Sequence, residues 1–302
     1  MPDRLIAWLM RGLWVVTAFA VWPAISAGLQ HQPAAVRTAA AVGGWAVWAG
    51  VLVSTFVPVP ATLTALRCAA PGVLAAVVAA AATGHPSAAA LATGTGWAVL
   101  ITMIVFLPPV GILCVNGPAY ANERRFPLVP PGALLLGPIE LAWAALVGLP
   151  TAAVLLLAAQ RWVLGAVLAV VGAPLAVFLA RALHGLSLRW LVFVPAGVVV
   201  HDPMALADPV LFQRQVVARL APGRDGLDLT LGALRVPRLE LRLREEARLD
   251  IRHNRSREDV ATCSLLVAPT TPGRVLAFAA AHRIPVATAQ VAVPPPTTTS
   301  PS

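Results

Sequence analysis

The chain has 302 residues, of which 58% are hydrophobic and 12% charged, with a mean hydropathy of +0.79. Soluble globular domains carry roughly a quarter charged residues, so this composition belongs to the membrane class rather than to ordinary soluble proteins. All 22 basic residues are Arg; with the Ala excess this reflects a GC-rich coding sequence, and although the basic balance permits attraction to anionic headgroups, no basic run points to nucleic acid.

The N-terminus, MPDRLIAWLMRG, has the charged start and apolar continuation of a signal peptide. Its uncharged stretch from Gly12 to Gln30 is long enough to span a bilayer and shows no obvious small-x-small cleavage site before a soluble domain, so a retained first span is expected. A membrane helix needs about 20 mostly apolar residues. Charges and turn residues divide residues 1–184 into six such pieces, near 10–29, 39–58, 62–83, 94–115, 135–159 and 163–183. The third is the weakest, with Arg67 in its early turns and Pro71 behind; without it the count is five and the two ends lie on opposite sides.

Orientation follows from the arginines. With the N-terminus inside, the cytoplasmic ends collect Arg4, Arg11, Arg67, Arg124, Arg125, Arg181 and Arg189, against Arg37 and Arg161 outside, which is the positive-inside bias. Trp97 and Trp162 would mark the outer boundary and Trp8 the inner. Six spans put both termini in the cytoplasm of a cell (plasma) membrane protein.

After the sixth span the chain reads RWLVFVPAGVVVHDP over 189–203. Trp190–Val200 is too short to cross a bilayer and Pro195-Ala196-Gly197 would break a helix, so it is expected to form two strands around a turn. Asp-Pro turns follow at 202–203 and 208–209. The apolar period then becomes two: Leu227, Leu229 and Leu231; Leu239, Leu241 and Leu243; Leu249 and Ile251. Such strands have one face on a core and the other in water. Glu245-Glu246-Ala247 is read as a hairpin link between the last two. One more strand near CSLLVA precedes a helix in PTTPGRVLAFAAAHRIP, with Thr271 as cap, Pro272 in the first turn, and Val275, Phe278 and His282 on one side. VPPPTTTSPS cannot build a core and reads as a disordered tail over 291–302.

The fold class expected is therefore a membrane α-helical bundle over 1–184 followed by a small β-rich domain over 186–290. About seven short strands closed by one helix resemble a pleckstrin-homology-like (PH-like) barrel. RWLVFVPAGVVVHDP carries the first hairpin of that resemblance, and CSLLVAPTTPGRVLAFAAAHRIP its last strand and helix. The whole chain resembles actinobacterial multi-pass membrane proteins that bear such a domain, a resemblance that brings no reaction and no catalytic residue.

Chemistry-bearing residues are few. Cys68, Cys114 and Cys263 form no CxxC and no pattern with His, so neither disulfide nor metal site is read, and no cofactor motif appears. Glu140 is the only acid expected within a span; following Pro138 it serves either the helix dipole near the headgroups or an ion or substrate contact. Arg67 either snorkels to the cytoplasmic surface or pairs with Glu140. Pro108 and Pro109 must kink or break the fourth span, as helices that line a substrate path do. Gly165, Ala169 and Ala173 form a small-residue stripe on the sixth. On the β domain, Arg235, Arg238, Arg242, Arg244, Arg248, Arg252, Arg255 and Arg257 make either a lipid-binding surface or a solvated face mixed with acids at 240, 245, 246, 250, 258 and 259. His201 and Asp202 are read as ending a strand. The expected function is that of a non-catalytic integral membrane protein, not an enzyme, whose cytoplasmic domain binds a protein partner or anionic lipid headgroups. The alternative is a transporter or transporter subunit with a Pro-broken fourth span; an intramembrane enzyme would need clustered His, Asp or Cys and ranks last.

Overall fold

The computed structural model describes residues 2–234, 237–253 and 256–287. It opens with seven α-helices: α1 (Pro2–Leu29), α2 (Ala34–Ser54), α3 (Pro60–Thr83), α4 (Ala88–Phe106), α5 (Pro108–Asn116), α6 (Pro138–Ala158) and α7 (Trp162–Leu186). All but α5 are long and apolar enough to cross a membrane, which makes the chain a multi-pass membrane protein. The third piece is a full-length helix of 24 residues that keeps Pro71 inside it.

Proline starts α3, α5 and α6, where its missing N–H leaves no helical carbonyl wanting and its fixed φ is already helical. Ser87 starts α4 by accepting a hydrogen bond from the Ala90 N–H at 3.2 Å. Helices in lipid gain little from the hydrophobic effect and associate through close packing and hydrogen bonds. The contacts here are of that kind. The Trp14 indole N–H donates to the Trp48 carbonyl at 3.0 Å, and Trp48 returns the bond to the Trp14 carbonyl at 2.9 Å, joining α1 to α2. Trp97 on α4 donates to the Thr17 hydroxyl on α1 at 2.9 Å.

Helices α6 and α7 form a hairpin of their own. A Cβ at Gly165 would fall 2.7 Å from Leu157 Cγ, so only glycine allows this approach. Gly172 meets Leu149 in the same seam. The expected stripe thus runs from Gly165 to the buried Gly172, and Ala173 is exposed. The hairpin meets the other helices through the Trp143 indole N–H, which donates to the Cys68 carbonyl at 2.9 Å, and through Thr64, whose hydroxyl lies 2.9 Å from His184 Nδ1 and donates to Ser187 Oγ at 3.1 Å.

The chain then forms two four-stranded sheets. One holds β1 (Arg124–Pro127), β2 (Trp190–Val194), β3 (Gly197–His201) and β4 (Val210–Gln213), in that order and antiparallel throughout. The other has the order β5 (Val217–Pro222), β7 (Leu239–His253), β8 (Ser256–Val267), β6 (Leu227–Asp228). Helix α8 (Pro272–Ala281) packs Val275 and Ala279 into one core with Leu191, Val198, Val200, Leu220, Leu241 and Leu265. RWLVFVPAGVVVHDP forms the expected hairpin, β2–β3, with Val194 opposite Gly197. Gly197 sits at φ +159°, and a Cβ there would strike the Phe212 carbonyl.

Three expectations are corrected. Among the described residues the sheets do not close into a barrel, and the strands number eight because β1 comes from the loop between α5 and α6. Glu245-Glu246-Ala247 is no hairpin: β7 runs through it as far as His253, which pairs with Ser256 of β8. Those glutamates lie in a bulge, since Arg242 faces Ser264 while Ala247 faces Thr262, and the inward Leu positions keep odd numbers on both sides of it. The strand expected over Leu227–Leu231 stops at Asp228, because Leu231 turns to φ +52° ahead of Gly232. Pro108 and Pro109 stand at a helix break: α4 ends at Phe106 and α5 opens at Pro108, so the break falls at the end of the long helix rather than in its middle. The expected tail over 291–302 lies outside the described residues.

Candidate functional site

The most elaborate polar structure in the chain is the joint between helices and sheets. It begins at α5, whose last residue, Asn116, ends the helix and templates β1. The Asn116 side-chain amide donates to Ile112 O and Arg125 O, both at 2.8 Å, and its carbonyl accepts from Arg125 N at 2.9 Å. The side chain thus acts as one rung of a strand, the way Asn commonly substitutes for backbone at turns. Beside it, the Arg125 guanidinium donates to Glu123 Oε1 at 2.7 Å and lies over the Trp190 ring at 5.2 Å. The hydrogen bond from Arg125 holds the Glu123 carboxyl below the usual carboxylate range. Trp190 stacks in turn on His201 with ring centroids 4.9 Å apart. His201 Nδ1 lies 2.7 Å from the Leu188 carbonyl; a carbonyl only accepts, so this nitrogen carries the proton.

At the centre is an ion pair hidden from solvent. Arg189 Nε and Nη2 donate to the two oxygens of Asp202 at 2.8 and 2.6 Å, and Arg189 Nη1 donates to the Val129 carbonyl at 2.8 Å. The two side chains are 1% and 0% exposed. Asp202 Oδ1 also accepts from the Met204 N–H at 3.1 Å. A buried guanidinium and carboxylate tolerate burial only when matched in this bidentate way. Three chain segments meet here: the α5–α6 loop through Val129, the end of α7 through Arg189, and the β3–β4 turn through Asp202. Backbone bonds reinforce the meeting, from Leu128 N to Arg189 O at 3.0 Å, Val129 N to Ala268 O at 2.8 Å and Thr270 N to Pro127 O at 2.8 Å. Arg124 reaches Asp3 at 3.7 Å, bringing the start of α1 to the same end of the molecule.

The residues singled out from sequence fall elsewhere. Glu140 is exposed in the first turn of α6 and forms no ion pair with Arg67. Arg67 lies instead beside the α4–α5 break, over the Phe106 ring at 5.4 Å. Among the β-domain arginines, Arg238 meets Asp228 at 3.5 Å, Arg242 meets Glu240 at 3.4 Å, Arg248 meets Asp259 at 3.8 Å and Arg257 meets Asp250 at 3.3 Å. Arg244 and Arg252 are exposed, and Arg235 and Arg255 lie outside the described residues. His201 does end its strand, yet Asp202 beside it is the buried partner of Arg189, a role its Asp-Pro turn signal did not announce. No cluster of His, Cys, Asp or Glu that could hold a metal ion occurs among the described residues. Comparisons of the chain with protein-family models, with curated proteins and with solved structures found no match.

Proposed function

We propose that the protein is a non-catalytic integral membrane protein of the plasma membrane whose six spans hold a cytoplasmic, PH-like β domain in a fixed pose as a binding surface for a protein partner. The observation that carries this reading is the joint: β1 belongs to the membrane part in sequence and to the β domain in pairing, and the Arg189–Asp202 pair closes over it. A domain tethered for chemistry elsewhere needs only a linker, whereas one built into its anchor keeps its outer face at a set height and angle above the bilayer.

The alternation of Arg with acids on β7 and β8 favours a protein partner over bare anionic lipid, because most of the charges already face an opposite one. A transporter reading would place the proline break at mid-membrane, but α4 supplies 19 helical residues before it, about 28 Å and nearly the hydrocarbon thickness.

The test is a photo-crosslinker placed at Arg244 in cells, with Val163 on the lipid-facing side of α7 as control. A discrete protein adduct from position 244, lost when Arg242 and Arg252 become Glu, supports the reading. Adducts with lipid alone would move the surface to the membrane, and substrate flux in proteoliposomes would replace the reading by a transporter.

A further inference from the structure

We propose that Arg67, with Phe106 and Gly111 at the break between α4 and α5, holds the phosphate of an anionic phospholipid in the leaflet next to the β domain. The guanidinium is placed but not paired. It lies 5.4 Å over the Phe106 ring. Its Nη2 is 3.5 Å from where a Cβ would stand on Gly111, so the α5 backbone is bare toward it. Its Nε is buried without a hydrogen-bond partner, and Arg67 takes part in none of the ion pairs formed among the described residues. The other arginines packed into this end each make a polar contact among the described residues: Arg125 with Glu123, Arg189 with Asp202, and Arg11, whose Nε is bare as well, through Nη2 to the Thr55 carbonyl.

A lone guanidinium among apolar helices is unfavourable unless an anion or water meets it. Its depth selects the anion. Arg67 follows the first residue of α3, Pro60, by seven positions, about 10 Å along a helix that is itself about 36 Å long against about 30 Å of hydrocarbon. The Cα therefore lies about 7 Å below the hydrocarbon boundary, and a long basic side chain that leans toward its helix N-terminus covers that distance. Phosphates of the near leaflet lie at the level it reaches. The neighbouring surface opens on lipid rather than on a sealed core, since Phe106 is 52% and Leu107 50% exposed. Basic recesses between spans on the cytoplasmic side take up anionic headgroups by the same attraction.

The experiment uses the full chain, stripped of lipid in mild detergent. Lipid retention is read by native mass spectrometry, and the thermal unfolding midpoint is followed while phosphatidylglycerol, phosphatidylcholine or inorganic phosphate is added. Phosphatidylglycerol should be retained and raise the midpoint, with about a tenfold loss of affinity in Arg67→Gln, as for a hydrogen bond to a charged group. Arg67→Lys keeps the charge without the fork and should fall between, which covers the case in which the Gln variant fails to fold. Arg37→Gln, on the opposite membrane face, should bind as the parent does. The proposal is overturned if Arg67→Gln or Arg67→Lys retains the lipid as the parent does, if Arg37→Gln loses it equally, or if inorganic phosphate produces the same stabilisation.

Discussion

Replacing Asp202 by Ala removes one half of the buried pair and leaves the Arg189 guanidinium with only the Val129 carbonyl. Both side chains are essentially unexposed, so the guanidinium left behind remains buried. Breaking such a pair from one side costs about 3–5 kcal/mol. At about 1.4 kcal/mol per tenfold, the joint should open roughly 10² to several 10³ times more often. The assay is amide hydrogen exchange on the full chain in lipid nanodiscs. Two amides report directly: Leu128 N–H, bonded to Arg189 O, and Val129 N–H, bonded to Ala268 O. Their exchange should accelerate by that factor, while amides in the middle of α1 and α3 keep their rates. The double variant Arg189→Met with Asp202→Leu removes both charges, fills similar volume and should regain most of the protection, since apolar replacement of a buried pair is often neutral or stabilising. Unchanged exchange at Leu128 and Val129 in Asp202→Ala would refute the assignment of the pair as the lock of the joint.

Three further outcomes follow from the same coordinates. Glu123 has its folded-state pKa lowered by Arg125; its contribution is therefore full above the unfolded-state carboxyl pKa near 4.3 and is lost as pH falls through the lower folded value, so protection at Arg125 N–H should decline only in acid, by no more than about 1 kcal/mol, and Glu123→Gln should abolish that pH dependence. Gly165→Leu forces a side chain into Leu157 on α6 and should lower the unfolding midpoint in detergent by an overpacking cost of about 1–3 kcal/mol, whereas Gly148→Leu, where a Cβ meets nothing, should not. Gly197→Ala drives a methyl into the Phe212 carbonyl, backbone that cannot swing aside; circular dichroism and exchange should show the β2–β3–β4 sheet loosened by about 1–3 kcal/mol with the helices intact.

The membrane part was legible because its signal is local. A span needs only a run of apolar residues, and each of the six overlaps its expected place, although α1 already starts at Pro2 and α4 ends at Phe106, well short of the expected 115. The hairpin β2–β3 was legible for a similar reason, as Val-rich runs flank a Pro/Gly turn. What escaped was non-local. RRFP carries two charges and a proline and has nothing strand-like of its own; it becomes β1 because Asn116 starts it and β2 receives it. The closure of the barrel was inferred from element order, which constrains neighbours in sequence but not which strand edges meet. The continuity of β7 could have been found: Leu239, Leu241, Leu243, Leu249 and Ile251 share one parity, and a hairpin would have had no reason to keep it.

The arginines of the α5–α6 loop and of the α7 end entered the sequence reading as a count, the excess that sets orientation. In the fold three of them have specific partners: Arg124 has Asp3, Arg125 has Glu123 and Trp190, and Arg189 has Asp202. That double use orders assembly. Arg124 leaves the ribosome well before Phe193, the residue it pairs with in β2, and α6 and α7 lie between them. The first sheet can be completed only when both helices have crossed and returned the chain to the side where β1 waits. Contacts so distant in sequence form late because the loop they close must be ordered first. A helical hairpin that inserts wrongly therefore leaves β1 unpaired and the core residue Phe126 exposed. Gly165→Leu, which damages only the α6–α7 seam, should then raise protease cleavage within 117–131 although it lies on the far side of the bilayer. Cleavage there that stays at the parental level while the hairpin is measurably destabilised would show that the sheet forms without waiting for its helices.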